Sequence, residues 1–121
     1  MTIKGSCHCG ATTFSVEAAP ESVTRCTCSI CSKKGALWAY YTPAEVKFET
    51  PAVTATYRWQ SNSVEHNFCP HCGCTTYTKS PSWEDFKPNF EKPRIALNAR
   101  LFNDFDLDAV AVEVIDGKNL W

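Results

Sequence analysis

Phe68-Cys69-Pro70-His71-Cys72-Gly73-Cys74 is the stretch that decides how the rest of this chain reads. Two thiols separated by two residues, in a turn closed by glycine, converge on one point from adjacent backbone. That supplies half of a tetrahedral thiolate site for zinc, and the other half must come from elsewhere in the chain. Cys7-His8-Cys9 is the natural complement. Its C-x-C spacing is tighter than the zinc-ribbon norm, but both thiols still converge if the chain bends at His8. A third group, Cys26-Thr27-Cys28-Ser29-Ile30-Cys31, places three thiols in one short segment. Three protein ligands and an open position make a catalytic zinc site, whereas four closed ligands make a structural one. Cys74 is left over. It could close the second site, lie buried as a free thiol, or act as a nearby reactive thiol.

Against these eight cysteines the rest of the 121-residue composition is ordinary. Twelve Lys+Arg against 13 Asp+Glu give a formal charge of −1, hence no bulk attraction to nucleic acid or an anionic membrane. Arg25, Arg58, Arg94 and Arg100 are scattered rather than arranged as a basic stripe. Apolar residues at 44% and charged residues at 21% exclude wholesale disorder. The longest apolar runs, such as Ala36 to Tyr41, are too short for a membrane span. Met1-Thr2-Ile3-Lys4-Gly5 offers no apolar segment before Cys7, so a reducing, cytoplasmic setting is expected. There metal ligation is a better use of closely spaced cysteines than disulfides, since C-x-C neighbours rarely pair.

No repeat, linker or low-complexity tract divides the sequence, which predicts a single small domain over residues 1–121. Short alternating runs of β-branched and aromatic residues make the class mainly β. Thr12, Phe14 and Val16 share one face of a strand, and Ala55, Tyr57 and Trp59 share another. Leu37 to Tyr41, Thr75 to Thr78, Arg94 to Asn98 and Val110 to Val114 read as further strands. Asn62 between two serines predicts a hairpin over Thr54 to Phe68. Pro43-Ala44-Glu45-Val46 after Thr42 and Leu107-Asp108-Ala109 predict single helical turns. Pro81, Pro88 and Pro93 argue against helix or central strand from Ser80 to Pro93, so a long ordered loop is expected, either a lid or a cover for the sheet edge.

In order and rough spacing, Gly5-Ser6-Cys7-His8-Cys9-Gly10, Cys26-Thr27-Cys28-Ser29-Ile30-Cys31 and Phe68-Cys69-Pro70-His71-Cys72-Gly73 resemble one family. It is that of the glutathione-dependent formaldehyde-activating enzymes, which includes the centromere protein V-like domains. The resemblance implies a Mss4-like, zinc-stabilised β-sheet fold with two Zn²⁺ per chain. It implies that Cys7, Cys9, Cys69 and Cys72 hold a structural zinc, and Cys26, Cys28 and Cys31 a catalytic one. The activity it implies is a carbon–sulfur lyase chemistry joining formaldehyde to glutathione as S-(hydroxymethyl)glutathione. The chain is shorter than the characterised members, and Lys33-Lys34-Gly35 and Gly73-Cys74-Thr75-Thr76 look more like the family's broader branch.

The expected function is therefore a zinc-dependent carbon–sulfur lyase acting on a small thiol, glutathione or similar, with formaldehyde or another small aldehyde. A soft, sulfur-rich site favours binding the substrate thiol as thiolate at neutral pH. The alternative is a non-catalytic zinc-stabilised module that binds a protein partner. Neither nucleic acid nor a membrane is an expected partner. Lys33 and Lys34 could hold the carboxylates of an anionic thiol or simply face solvent. His66 could shuttle protons or be a structural strand residue, and Glu65 has the same two readings. His8 and His71 lie inside the cysteine turns, where solvent-facing or supporting roles are expected. Trp38, Tyr40, Tyr41, Trp59, Trp83 and Phe86 could wall a pocket or fill the core.

Overall fold

A computed structural model of the chain describes residues 2–49, 54–59, 63–84 and 87–120. Alternation of side chains along short strands produces two sheets. Strands β1 (Ile3–Ser6), β2 (Thr13–Val16) and β5 (Val46–Phe48) form a three-stranded antiparallel sheet in the order β1-β2-β5. The larger sheet comprises β3 (Ser22–Cys26), β4 (Trp38–Tyr41), β6 (Ala55–Tyr57), β7 (Glu65–Phe68), β8 (Thr75–Glu84), β9 (Lys87–Asn98) and β10 (Ala111–Ile115). Its order is β10-β3-β4-β9-β8-β7-β6, with β10 and β3 parallel and the other pairs antiparallel. Helix is confined to short pieces: α1 (Ser29–Lys34), α2 (Gly117–Leu120) and 3-10 turns at Pro43–Glu45 and Ala99–Leu101.

The core lies between the sheets. Phe14 and Val16 of β2 and Val46 of β5 meet Val23 of β3, Leu37, Ala39 and Tyr41 around β4, and Ile95 and Leu97 of β9. The expected inward face of Thr12, Phe14 and Val16 is fully buried. Phe14 packs edge-on against both Phe48 and Phe102, with centroids 6.3 and 5.8 Å away. Gly5, opposite Phe14 in the β1–β2 register, makes room for that ring. A Cβ there would stand 2.5 Å from it. Burying a ring this completely is worth on the order of 2–3 kcal/mol.

The other face of the large sheet has a different chemistry. In-register positions bring Thr24, Asn98, Thr76, Thr78, Ser80 and His66 to that side, all buried, with Trp38 and Ala96 among them. Their polar groups are in part tied down locally. Asn98 Nδ2 donates to the Thr75 carbonyl at 2.9 Å, and the Thr76 hydroxyl donates to the Asn67 carbonyl at 3.2 Å. A small sheet with one apolar and one polar buried face has its core on one side and room for a site on the other.

One segment departs from the sequence reading. Ser80 to Pro93 is not a loop: β8 and β9 continue through it as a two-stranded arm. The prolines are tolerated because, among the described residues, no third strand pairs there. β7 reaches only Lys79 on β8, and β4 reaches only Ile95 on β9. Pro81 faces Pro93 next to a register shift, so neither removes a bond that a neighbouring strand needs. Phe86 lies outside the described residues. The 54–68 hairpin pairs as expected, Ala55 with Phe68 and Tyr57 with His66, while Asn62 also falls outside them. The turn at Pro43–Glu45 forms, closed by a capping box between Thr42 and Glu45. Leu107 to Ala109 is a hydrogen-bonded turn rather than a helix, with Ala109 N donating to the Asp106 carbonyl at 3.2 Å.

Candidate metal centres

All eight cysteines are free thiols, and seven of them fall into two groups. Cys7, Cys9, Cys69 and Cys72 bring their sulfurs within 4.8 Å of one another, and so do Cys26, Cys28 and Cys31. Cys74 belongs to neither group, and its surroundings (the His8 backbone, Cys72 and Cys7) are those of the four-thiol one. It does not complete the three-thiol group.

The four-thiol group is built by two turns that solve the same local problem. Cys7 N donates to the Thr12 carbonyl at 3.0 Å and Gly10 N to the Cys7 carbonyl at 3.2 Å. Cys69 N donates to the Cys74 carbonyl at 2.9 Å and Gly73 N to the Cys69 carbonyl at 2.8 Å. Gly10 and Gly73 both take positive φ, 81° and 80°, so each turn reverses where a side chain would be strained. The sulfurs of Cys7 and Cys9 are 3.7 Å apart and those of Cys9 and Cys69 are 3.6 Å apart. A tetrahedron with metal–sulfur arms of about 2.3 Å has edges of roughly 3.8 Å, so the spacing suits zinc and is far too long for a disulfide.

The protonation preferences of these thiols also call for a cation. Burial pushes Cys7 up, but the Thr12 N–H, 3.4 Å from its sulfur, and the thiols of Cys9 and Cys69 bring it below the usual thiol range. Backbone N–H groups of Cys74 and Cys9 pull Cys72 down to about 5. The Ala11 N–H favours the thiolate of Cys9, yet desolvation and the three neighbouring thiols push it up to about 12. The four thiols ionise interdependently, so that the first to lose a proton makes the next loss harder. A divalent cation resolves that conflict, since it favours the thiolate at every position.

The three-thiol group arises from one bend in the chain. Cys26 ends β3, Cys28 precedes α1, and Cys31 lies within that helix. Gly35, at φ 67°, ends α1 in the left-handed conformation, and Arg100 Nε holds its carbonyl at 2.8 Å. Cys28 is drawn below the usual range: burial opposes, but the N–H groups of Cys31 and Ile30 and the neighbouring thiols prevail. Burial, helped by the Cys28 thiol, pushes Cys26 up, and burial with the Cys28 and Cys26 charges pushes Cys31 up to about 12. Cys31 packs against Ala36, Trp38 and Ala96 on the polar side of the sheet. Among the described residues no fourth Cys, His, Asp or Glu joins this group.

Around it lie residues that spacing alone did not single out. Arg94 stacks on the Tyr40 ring at 4.4 Å. Burial pushes the Tyr40 hydroxyl up, Arg94 pulls it down, and the charges of Cys26 and Cys31 reach it. Lys33 and Lys34, equivalent in the sequence, separate in the structure: Lys33 is exposed, while the Lys34 ammonium is shielded and has no hydrogen-bond partner. His66 is buried with Nδ1 unpartnered, and burial together with the Lys34 charge holds it down at about 4, hence neutral near pH 7. Glu65 instead forms a surface ion pair with Arg58 at 3.2 Å, and His8 and His71 are exposed. Trp38 and Tyr41 are core residues. Tyr57 and Trp59 wall a cleft of about 520 Å³ with Phe68, Lys33 and Lys34. The cysteines themselves do not line this cleft, whose wall also takes in Ser29 and Ile30 of α1 and Gly73 and Thr75.

Comparison with known proteins fits this geometry. The family model of the glutathione-dependent formaldehyde-activating enzymes matches residues 2–90, a stretch that contains all eight cysteines. The chain belongs to that family. A Halomonas elongata protein named "Putative glutathione-dependent formaldehyde-activating enzyme" is 30% identical over 95 residues. That match takes in 70% of this chain but only 60% of the relative's length. A crystal structure of a Rhodobacter sphaeroides protein superposes with a TM-score of 0.71, at 24% identity, over 91% of this chain and 99% of that one. The likeness supports the mainly β fold assigned to this family member. No helix among the described residues is long and apolar enough to cross a membrane.

Proposed function

We propose that the protein is a zinc-dependent enzyme of the carbon–sulfur lyase type. It joins a small thiol, glutathione or a relative, to formaldehyde or another small aldehyde, and catalyses the reverse cleavage. The observation that carries this reading is the unequal partition of thiols, four in one group and three in the other. Cys7, Cys9, Cys69 and Cys72 would hold a structural zinc, and Cys26, Cys28 and Cys31 would hold a second one that could also take a substrate sulfur. A zinc ion held by three thiolates favours binding the substrate sulfur as thiolate at neutral pH. In the overall reaction a C–S bond forms, the carbonyl π bond opens, and the thiol proton ends on the new hydroxyl. The side chains of Trp38 and Ala96 exclude water from one side of Cys31. The reducing cytoplasm, where free thiols persist, is the setting this chemistry needs.

Zinc analysis combined with NMR detection of the hydroxymethyl thioether tests the proposal. Two zinc ions per chain, and product formed faster with protein than without, are the expected results. One zinc ion, or no acceleration with any of a panel of thiols and small aldehydes, would sink it. In the second case the alternative, a zinc-stabilised module that docks a protein partner, would take its place.

A further inference from the structure

Lys34 is half-buried, and its ammonium is the one shielded side-chain cation for which the described residues supply no hydrogen-bond partner. Its Nζ is shielded from solvent and accepts no counter-charge within hydrogen-bond reach, although its neighbour Lys33 is solvated. An unpaired buried ammonium is costly, and lysines ordinarily avoid that cost by turning the long stem outward. The Lys34 side chain also helps to wall the cleft beside α1, and three features describe what else surrounds the ammonium. Lys34 lies three residues after Cys31 on α1, so the two side chains share a helix face. Burial holds the Lys34 ammonium below the usual lysine range, and the charge of Cys31 opposes that effect without cancelling it. On the other side stands His66, itself buried, neutral and unpartnered at Nδ1, so it brings no negative charge. No aspartate or glutamate is hydrogen-bonded to Lys34, and α1 carries no acidic residue in its first turn.

Among the described residues, the anionic group that acts on this ammonium is the Cys31 sulfur. A divalent ion held by three thiolates carries one net negative charge, and a fourth thiolate makes two. Accumulating a second negative charge in a partly desolvated site is unfavourable unless a cation stands nearby. Resting on the proposed zinc–thiol reading, we propose that Lys34 is a charge-positioning residue of the three-thiol centre, its shielded ammonium favouring arrival of the substrate sulfur as thiolate. Lys34 then serves the sulfur end of the substrate and not its carboxylates. An uncharged thiol depends on it as much as glutathione does.

Cobalt(II)-substituted protein gives a readout that does not require turnover, because the sulfur-to-metal absorption bands change when a fourth thiolate binds. Titrations with uncharged 2-mercaptoethanol and with glutathione are compared for wild type, Lys34→Gln, Lys34→Arg and the exposed charge control Lys47→Gln. An opposite charge at close range moves a thiol's ionisation by about one unit or more, so Lys34→Gln weakens both thiols by about tenfold or more and by similar factors. Lys34→Arg restores most of the affinity, and Lys47→Gln matches wild type. Far-UV circular dichroism identical to wild type establishes that Lys34→Gln is folded. The inference is overturned if Lys34→Gln binds both thiols within about twofold of wild type, or if only glutathione is weakened, which would make Lys34 a carboxylate reader. The two claims separate cleanly. Lys34-dependent thiol binding without any thioether product sinks the enzyme reading alone, and Lys34-independent binding with product sinks this inference alone.

Discussion

The two thiol groups use the same side chain to different ends, and chain topology is what separates them. The four-thiol group ties Cys9 to Cys69 across 60 positions, with their sulfurs 3.6 Å apart. It joins the turn after β1, a strand of the small sheet, to the turn between β7 and β8, neighbours in the large one. The three-thiol group lies wholly between Cys26 and Cys31 and links β3 only to the helix that follows it. A cross-link that closes a long loop removes much conformational freedom from the unfolded chain, while one that closes a few residues removes little. On the proposed function, a metal in the first group would hold the fold together, and one in the second would be free for chemistry.

Breaking the first group should produce the largest effect in the molecule. Structural zinc supplies on the order of 10 kcal/mol in small domains, comparable with the whole stability of a protein this size. Cys69→Ser, or chelation of the metal, is expected to abolish cooperative thermal unfolding and to disperse the amide NMR spectrum no further than a random chain. Cys28→Ser is the matched test of the second group. It should lose about one metal ion per chain, keep a cooperative melt, and lower the rate of thioether formation by about 100-fold or more. If Cys28→Ser unfolds as Cys69→Ser does, both groups are structural and the comparison collapses.

His66 sharpens the contrast through pH. Its folded-state value of about 4 lies below the ordinary 6.5 of an imidazole. As pH falls through the ordinary value, the unfolded chain takes up a proton that the folded chain refuses. Stability is therefore lost from about pH 6.5 down to about pH 4 and is fully present above that window. Between about pH 7.5 and about pH 5 the wild type should lose ~2 kcal/mol more than His66→Gln, measured by urea denaturation. Acid release of metal from the thiols affects both proteins alike and cancels in the difference. Equal losses would mean that His66 is solvated in the folded state.

Much of this was legible in the sequence because cysteine spacing carries geometry directly. A C-x-x-C turn closed by Gly73 brings two sulfurs together, with Cys7 and Cys9 as their complement and Cys26, Cys28 and Cys31 left as a group, while the place of Cys74 stayed open. Alternation likewise marked β2, β4 and the inner parts of β8 and β9. The arm from Ser80 to Pro93 was misread because proline's cost depends on whether a third strand needs its N–H, which is a tertiary fact. Helix α1 was missed for the opposite reason. At 6 residues it is too short to show periodicity, and its signal, Lys33-Lys34-Gly35 as a basic last turn with a glycine stop, is visible only once a helix is suspected. The polar face of the large sheet was hidden as well. Thr24, Thr76, Thr78 and Ser80 look like the solvent side of amphipathic strands, and only packing shows that they are buried.

Cys74 supplies the smallest effect and the finest test of the partition. It follows Cys72 by two positions and stands beside the four-thiol group, where the His8 N–H opposes but desolvation and the charges of Cys72 and Cys7 keep its thiol above the usual range. A neutral thiol next to a completed set of ligands has no coordination to offer. Its carbonyl, which accepts the Cys69 N–H at 2.9 Å, is the part of the residue that shapes the turn, and substitution leaves that bond in place. Cys74→Ser should therefore keep the metal content and the thiol affinity of wild type and shift stability by no more than about 0.5 kcal/mol, as expected for a change away from any packed or ligating group. Loss of the second metal ion in Cys74→Ser would mean that the eighth sulfur reaches the three-thiol group after all. That centre would then be closed, and the distinction between a holding site and a working one would fail at its weakest point.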